Sequence, residues 1–132
     1  MIPRYRAWDK IHKTMYEVDD IMSIDFGKSE ISVKTLFFER TNYYNFNDIA
    51  LMQSTGLTDK NGKEIFEGDI IDSYDVGLSG IVEFRPDLGA FVSMLIEYNN
   101  FERLCNVANS TKIIGNIWEN GELLDVENTE EN

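Results

Sequence analysis

The sequence contains one cysteine, one histidine and two prolines among 132 residues. A lone Cys105 cannot close an internal disulfide, and one thiol with one imidazole cannot supply the tetrahedral ligand set of a structural zinc site. No apolar run approaches the ~20 residues that a membrane helix needs, and the opening residues lack the apolar stretch of a secretory signal. The sequence therefore predicts a cytoplasmic protein without a structural metal or a membrane segment.

Basic residues are scarce beyond residue 40. Residues 1–40 hold seven Lys/Arg and seven Asp/Glu, so their charges cancel, whereas residues 41–132 hold five Lys/Arg and seventeen Asp/Glu and carry the whole net charge of −12. A surface this acidic repels a phosphate backbone, which argues against sequence-independent binding of nucleic acid. The same charge keeps the protein soluble.

Signatures of catalysis are absent as well. The chain has no phosphate-binding glycine-rich loop and no nucleophile elbow. His12 lies among polar residues near a turn and is predicted to be exposed. Cys105 follows Leu104 and is predicted to be buried as a small apolar residue. We therefore predict no catalytic residue, no cofactor and no enzymatic activity.

An acidic run lies between Asp59 and Asp69, and hard cations such as calcium do bind runs of carboxylate and amide oxygens. The calcium-loop pattern requires an acid or amide at its fifth position and a glutamate at its twelfth. Counted from Asp59, these positions are Lys63 and Ile70. The sequence therefore predicts no metal site here and treats the run as a solvated hairpin tip.

The stretch from Leu51 to Ile71 gives the strongest local signal. Two apolar-patterned ends flank Asp59–Lys63, whose Asn61-Gly62 pair accepts the backbone angles of a tight hairpin turn. Gly68 predicts a bend before the next strand. Alternation of apolar and polar residues predicts further strands: Ile2–Asp9, Met15–Val18 (where a short helix competes), Glu30–Phe38, Gly80–Phe84, Ala90–Tyr98 and Lys112–Trp118.

Two segments are less regular. The segment Phe101–Val107 fits either a short helix or a strand, and Glu39–Asp48 is predicted to be a loop. The rings of this loop, Tyr43, Tyr44 and Phe46, are of the kind that stack on nucleic-acid bases. Because basic residues are not interleaved with them, we expect these rings to pack on the protein instead.

These patterns predict a mainly β protein with little helix. The expected architecture is a small SH3-like β-barrel formed by Gly56–Trp118, with Gly115 marking a bulge or a close approach of backbones in its last strand. We predict three parts: a strand-rich N-terminal segment at 1–48 that serves as an oligomerisation region, a β-barrel domain at 49–124 and a disordered acidic tail at 125–132.

Three stretches of the sequence resemble the YopX family of phage and prophage proteins. They are RAWD at Arg6–Asp9, LMQSTGLTDKNGKEIFEGDII at Leu51–Ile71 and IIGNIWENGELL at Ile113–Leu124. The resemblance implies a mainly β protein that is encoded by a bacteriophage or prophage and made in the host cytoplasm. It implies no catalytic residues, because the family has no established biochemical function.

The leading functional hypothesis is a non-enzymatic protein-interaction module that forms homo-oligomers through its N-terminal strands. Its acidic barrel face would bind a basic protein partner through Glu67, Asp69, Asp72 and Asp75. A sharper version is a DNA mimic that inhibits a host DNA-binding enzyme. The alternative from another class is a nucleic-acid-binding accessory protein, with contacts from the N-terminal basic and aromatic strand: Arg4, Arg6, Trp8, Lys10 and Lys13.

Overall fold

The computed structural model describes residues 3–35, 40–73 and 77–124. Contacts divide the chain into a first unit, residues 1–54, and a second unit, residues 55–132. The division falls within a long strand, six residues after the predicted domain boundary at residue 48. The predicted acidic tail at 125–132 lies outside the described residues.

The strands described in the first unit are all paired antiparallel. They are β1 (Tyr5–Asp9), β2 (Thr14–Tyr16), β3 (Ile21–Asp25), β4 (Glu30–Val33), β5 (Asn42–Asn45) and β6 (Ile49–Thr58). One sheet places β1 between β2 and the first half of β6, with Asp9 opposite Ile49 and Tyr5 opposite Gln53. A separate three-stranded sheet has the order β3-β4-β5.

The core of the first unit follows from the alternation of its strands. Ala7, Ile31, Val33 and Ile49 are buried, and Tyr44 packs against them from β5. The prediction of a loop over 39–48 is therefore wrong at residues 42–45. The run Asn42–Asn45 forms a strand, in which half-buried and exposed side chains alternate and which pairs with β4. A 3₁₀ turn at Phe46–Asp48 follows it.

The second unit contains a five-stranded antiparallel sheet. The elements of this unit are β7 (Glu64–Phe66), β8 (Asp69–Ser73), β9 (Ser79–Arg85), β10 (Ala90–Leu95), β11 (Phe101–Arg103), α1 (Leu104–Val107) and β12 (Thr111–Asn116). The order of the strands in the sheet is β11-β10-β9-β8-β12, so β8 to β11 follow one another along the chain and β12 returns beside β8. A short strand, β7, pairs with the end of β6 and completes the predicted hairpin.

The ambiguous segment Phe101–Val107 contains both predicted structures, a strand and then one helical turn. Leu104 and Ala108 lie four residues apart and bury the same side of that turn against the core. Cys105 is consequently exposed, so the prediction of a buried thiol is wrong. The adjacent Leu104 is the residue that occupies the apolar site.

The predicted fold class is confirmed, since strands dominate the described residues and helix is confined to short turns. The order of the second unit's sheet is compatible with a small barrel, and its SH3-like character stays a prediction. Among the residues described here, no helix has the length and apolar character needed to cross a membrane.

Gly115 interrupts the pairing of β12 with β8, as the sequence predicted. The register shifts between Ile113 and Gly115. A Cβ atom at Gly115 would lie 2.5 Å from Oδ1 and 2.9 Å from Cβ of Asn120. The close neighbour is therefore a side chain and not another backbone.

Gly115→Ala is expected to lower the free energy of unfolding by about 1–3 kcal/mol, because Asn120 must leave its place to admit the new methyl group. Chemical denaturation monitored by circular dichroism measures the change. Gly121→Ala is the matched control, since a Cβ there meets nothing within 4 Å. Equal stability of both variants would show that Asn120 moves aside without cost.

Candidate interaction surfaces

Asp9 ends β1 with a fully buried carboxylate that organises the neighbouring turn. Its Oδ1 accepts hydrogen bonds from the backbone N–H groups of Ile11 (2.9 Å) and His12 (3.0 Å). Its Oδ2 accepts from the hydroxyl of Tyr16 at 2.7 Å and lies 2.7 Å from Nδ1 of His12. A short acidic side chain directly after a strand is well placed for such a turn.

These hydrogen bonds and the burial of the site shift the pKa values of Asp9 and Tyr16. Burial raises the pKa of Asp9, but the donors from His12, Tyr16 and Ile11 outweigh it and hold that pKa below its usual value. Burial, with the neighbouring Tyr44 and Asp9, raises the pKa of Tyr16. The hydroxyl of Tyr16 has one hydrogen, which it donates in the hydrogen bond to the carboxylate of Asp9. The hydroxyl of Tyr44, whose oxygen is 2.9 Å from that of Tyr16, therefore acts as the donor to Tyr16.

Two pairs of aromatic side chains lie in or next to the turns of the first unit. His12 packs edge-on against Tyr44, with centroids 6.3 Å apart and ring planes at 77°. Phe26 packs in the same way against Phe46, at 5.9 Å and 75°. We call His12, Phe26, Tyr44 and Phe46 the aromatic edge. Its outer members are well exposed, His12 by 62% and Phe26 by 64%, which confirms the predicted exposure of His12.

A shallow groove of about 270 Å³ lies elsewhere on the first unit. It runs beside β3, which is an edge strand of its sheet in the described part of the chain. Met22 belongs to this groove and is 61% exposed. The groove is lined by Pro3–Tyr5, Val18 and Ile21–Ile24.

In the second unit, the carboxylate of Asp59 accepts three backbone hydrogen bonds. It is only 4% exposed, so it does not belong to a solvated hairpin tip. Its Oδ1 accepts from the backbone N–H groups of Asn61 and Lys63, both at 2.9 Å, and its Oδ2 accepts from Ile113 N–H at 3.1 Å. Lys60 N–H donates to Thr111 O at 2.9 Å, and this bond and the bond from Ile113 cover the outer edge of β12. We call this arrangement the Asp59 latch.

The predicted partner-binding acids do not form one face. Asp69 is 2% exposed and accepts a hydrogen bond from Phe66 N–H. Asp72 is half-buried and accepts from the hydroxyl of Ser79. Asp69 and Asp72 are three residues apart in β8, so their side chains leave opposite faces of the sheet. Glu67 lies in the turn before that strand, and Asp75 lies outside the described residues.

The predicted nucleic-acid contacts are also divided. Arg6 and Trp8 are buried within β1. Arg4, Lys10 and Lys13 are exposed, and the two lysines belong to the turn that carries His12. In residues 3–35, 40–73 and 77–124, no three His, Cys, Asp or Glu side chains are grouped in a way that could hold a metal ion.

Sequence reasoning missed Asp9, Tyr44 and Asp59 as organising residues. The available signal was an aspartate at the point where a predicted strand meets a predicted turn, which fits both Asp9 and Asp59 and is a position that favours side-chain bonds to turn N–H groups. No comparable signal identifies Tyr44, because its role depends on the pairing of β5 with β4.

Comparison with known proteins agrees with the resemblance seen in the sequence. A crystal structure of protein EF1440 from Enterococcus faecalis is similar with a TM-score of 0.66 and 30% identity, over 94% of this chain and 99% of that chain. The crystal structure of protein yopX from Bacillus subtilis is similar in fold, with a TM-score of 0.61 and 23% identity over 91% of this chain and 96% of that chain. No curated protein matches the chain. Since the family model for the YopX protein matches residues 4–125, the chain belongs to the YopX family.

Proposed function

We propose that the chain is a non-enzymatic protein-interaction module that is encoded by a phage or prophage and acts in the bacterial cytoplasm. The observation that carries the proposal is the β3 edge strand with the groove beside it. Natural proteins usually shield strand edges, because an open edge offers backbone donors and acceptors to another chain. An open edge beside an apolar groove is the geometry by which extended segments add to a sheet.

The first unit supplies the self-association in this proposal. β3 presents Met22 and Ile24 to the groove, and Val18 extends its apolar lining. A β-strand of a second copy that pairs with β3 gains main-chain hydrogen bonds from the edge and apolar burial from the groove. Homo-oligomers of this kind close on themselves when the same edge is used by both copies.

Met22→Glu is expected to shift the protein to monomers, because it places a charge in the groove that the second copy must desolvate. Light scattering after size-exclusion chromatography measures the mass in solution. Ile11→Glu is the matched control, since Ile11 is 62% exposed, against 61% for Met22, but lies in the turn after β1. A monomeric parent protein, or an unchanged mass in the Met22→Glu variant, would count against self-association through β3.

The second unit supplies the contact with a basic partner. Residues 55–132 hold five Lys/Arg and sixteen Asp/Glu, which is a net charge of −11. A field of this sign accelerates encounters with basic proteins. It supports DNA mimicry equally well, and competition between this protein and duplex DNA for a host enzyme separates the two.

A further inference from the structure

Lysines lie in the same turns as the two outer rings of the aromatic edge. Lys10 and Lys13 belong to the turn between β1 and β2, and Lys28 belongs to the turn between β3 and β4. Both turns are bonded to the 3₁₀ turn that contains Phe46. Lys10 N–H donates to Asp48 O at 3.0 Å, and Phe46 N–H donates to Ser29 O at 2.9 Å. All three lysines are exposed, and each lies within two residues of His12 or Phe26 in the sequence.

Neither outer ring of the aromatic edge is stacked on its neighbour. In both edge-on pairs the ring planes are nearly perpendicular, so neither His12 nor Phe26 is covered face to face by its neighbour. The supporting rings, Tyr44 and Phe46, are two residues apart along an extended chain, which separates them by roughly 6.6 Å. His12 and Phe26 therefore offer two separate platforms held by half-buried partners.

The three carboxylates beside the lysines differ in exposure. The carboxylate of Asp9 is buried and bonded to four donors. Asp48 is half-buried, and the exposed Asp25 accepts from Lys28 N–H. Residues 1–54 hold seven Lys/Arg and eight Asp/Glu, so the first unit is close to neutral, and the charge that repels phosphate is confined to residues 55–132.

We propose that the aromatic edge binds single-stranded nucleic acid, with bases stacked on His12 and Phe26 and phosphates near the lysines. Exposed aromatic platforms flanked by cations are the usual means of binding single strands without reading their sequence. An acidic peptide could use the lysines but not two outward-facing rings. This activity goes beyond the proposed protein interaction and uses residues other than those of the β3 groove.

Fluorescence anisotropy with the full chain and a labelled ten-nucleotide oligothymidine tests the proposal. We expect saturable binding that Phe26→Ala weakens about five- to hundredfold, the loss of one stacked base. Tyr43→Ala is the matched control, because Tyr43 is 66% exposed and is adjacent in β5 to Tyr44, which places it on the other face of the strand. Lys13→Gln should reduce the slope of log affinity against log salt by about 0.7, while Lys34→Gln should not.

Two further probes assign the chemistry. An abasic ten-nucleotide strand keeps the phosphates and is expected to bind much more weakly than oligothymidine. A labelled polyglutamate peptide is expected not to compete. The proposal is overturned if no saturable binding occurs up to millimolar protein, if abasic and normal strands bind equally, if the peptide competes as well as DNA, or if the Phe26 and Tyr43 variants lose the same affinity.

Discussion

Asp59→Ala is expected to lower the free energy of unfolding by about 3 kcal/mol, because three backbone donors lose a charged acceptor in a largely buried place. For a chain of this size that corresponds to a melting temperature lower by roughly 10 °C. The turn loses the bonds from Asn61 and Lys63, and the edge of β12 loses the bond from Ile113. Urea denaturation at neutral pH measures the loss directly.

The stabilisation from Asp59 is expected to disappear in acid. Burial raises the pKa of this carboxyl, but the N–H groups of Ile113, Lys63 and Asn61 and the charge of Lys63 hold it below its usual value. A group whose pKa is lower in the folded state binds fewer protons there than in the unfolded chain. Its contribution is therefore complete above the unfolded pKa, near 3.9, and is lost as the pH falls through the folded pKa.

A surface carboxylate provides the control for both measurements. Asp87 pairs with Arg85, but its side chain is 59% exposed, and such pairs contribute little. Asp87→Ala is expected to keep the denaturation midpoint of the parent at pH 7. If the Asp59 and Asp87 variants denature together, or if Asp59→Ala keeps the full acid sensitivity of the parent below pH 4, then the latch does not stabilise the second unit.

Asp9→Asn is expected to lower the stability of the first unit by about 2–3 kcal/mol, since it removes the charge from a site with four donors and no solvent. The amide nitrogen of asparagine would take the place of Oδ2. There it would face the hydroxyl of Tyr16 and Nδ1 of His12, which need an acceptor and not a donor. Tyr16→Phe removes one of these bonds and is expected to cost about 1 kcal/mol. Hydrogen exchange of the amides in β1, β2 and β5 locates the loss.

A double-mutant cycle between Asp9 and Tyr16 isolates their bond from the rest of the cluster. We expect the double variant to lose less stability than the two single variants do in sum, because each single change already removes the shared bond. His12→Ala serves as the comparison, since its ring is exposed and its bond to Asp9 competes with water. A larger loss for His12→Ala than for Tyr16→Phe would mean that the imidazole, and not the buried hydroxyl, holds the carboxylate.

Most strands of this protein could be predicted, because alternating apolar and polar residues and turn-forming residues mark them in the sequence. The run Gly80–Phe84 alternates, and the turn at Arg85–Gly89 combines a proline with a glycine that takes φ of +61°. The hairpin after β6 was also predicted, although its turn is longer than two residues. Gly62 has a positive φ and Asn61 does not, because Asp59 supplies side-chain bonds across a five-residue loop.

The interaction surfaces could not be predicted, because their residues meet only through pairing of distant strands. Apart from the strand-end positions of Asp9 and Asp59, nothing local shows which of the twenty-four acids are buried. Asp69 is buried, whereas Glu83 and Asp87 are exposed. The lysines beside the aromatic edge come from two turns and its supporting rings from a third segment, so no sequence window contains the site.

The two carboxylate oxygens of Asp59 accept bonds from residues at very different distances along the chain. The bonds to Oδ1 span two and four residues and can form as soon as the turn does. The bond to Oδ2 joins residues 54 positions apart, and closing a loop of that length is entropically costly until the intervening sheet exists. We therefore expect the bonds to Oδ1 to form early in folding and the bond to Oδ2 to form last, in which case loss of the Oδ2 contact accelerates unfolding and leaves the folding rate nearly unchanged.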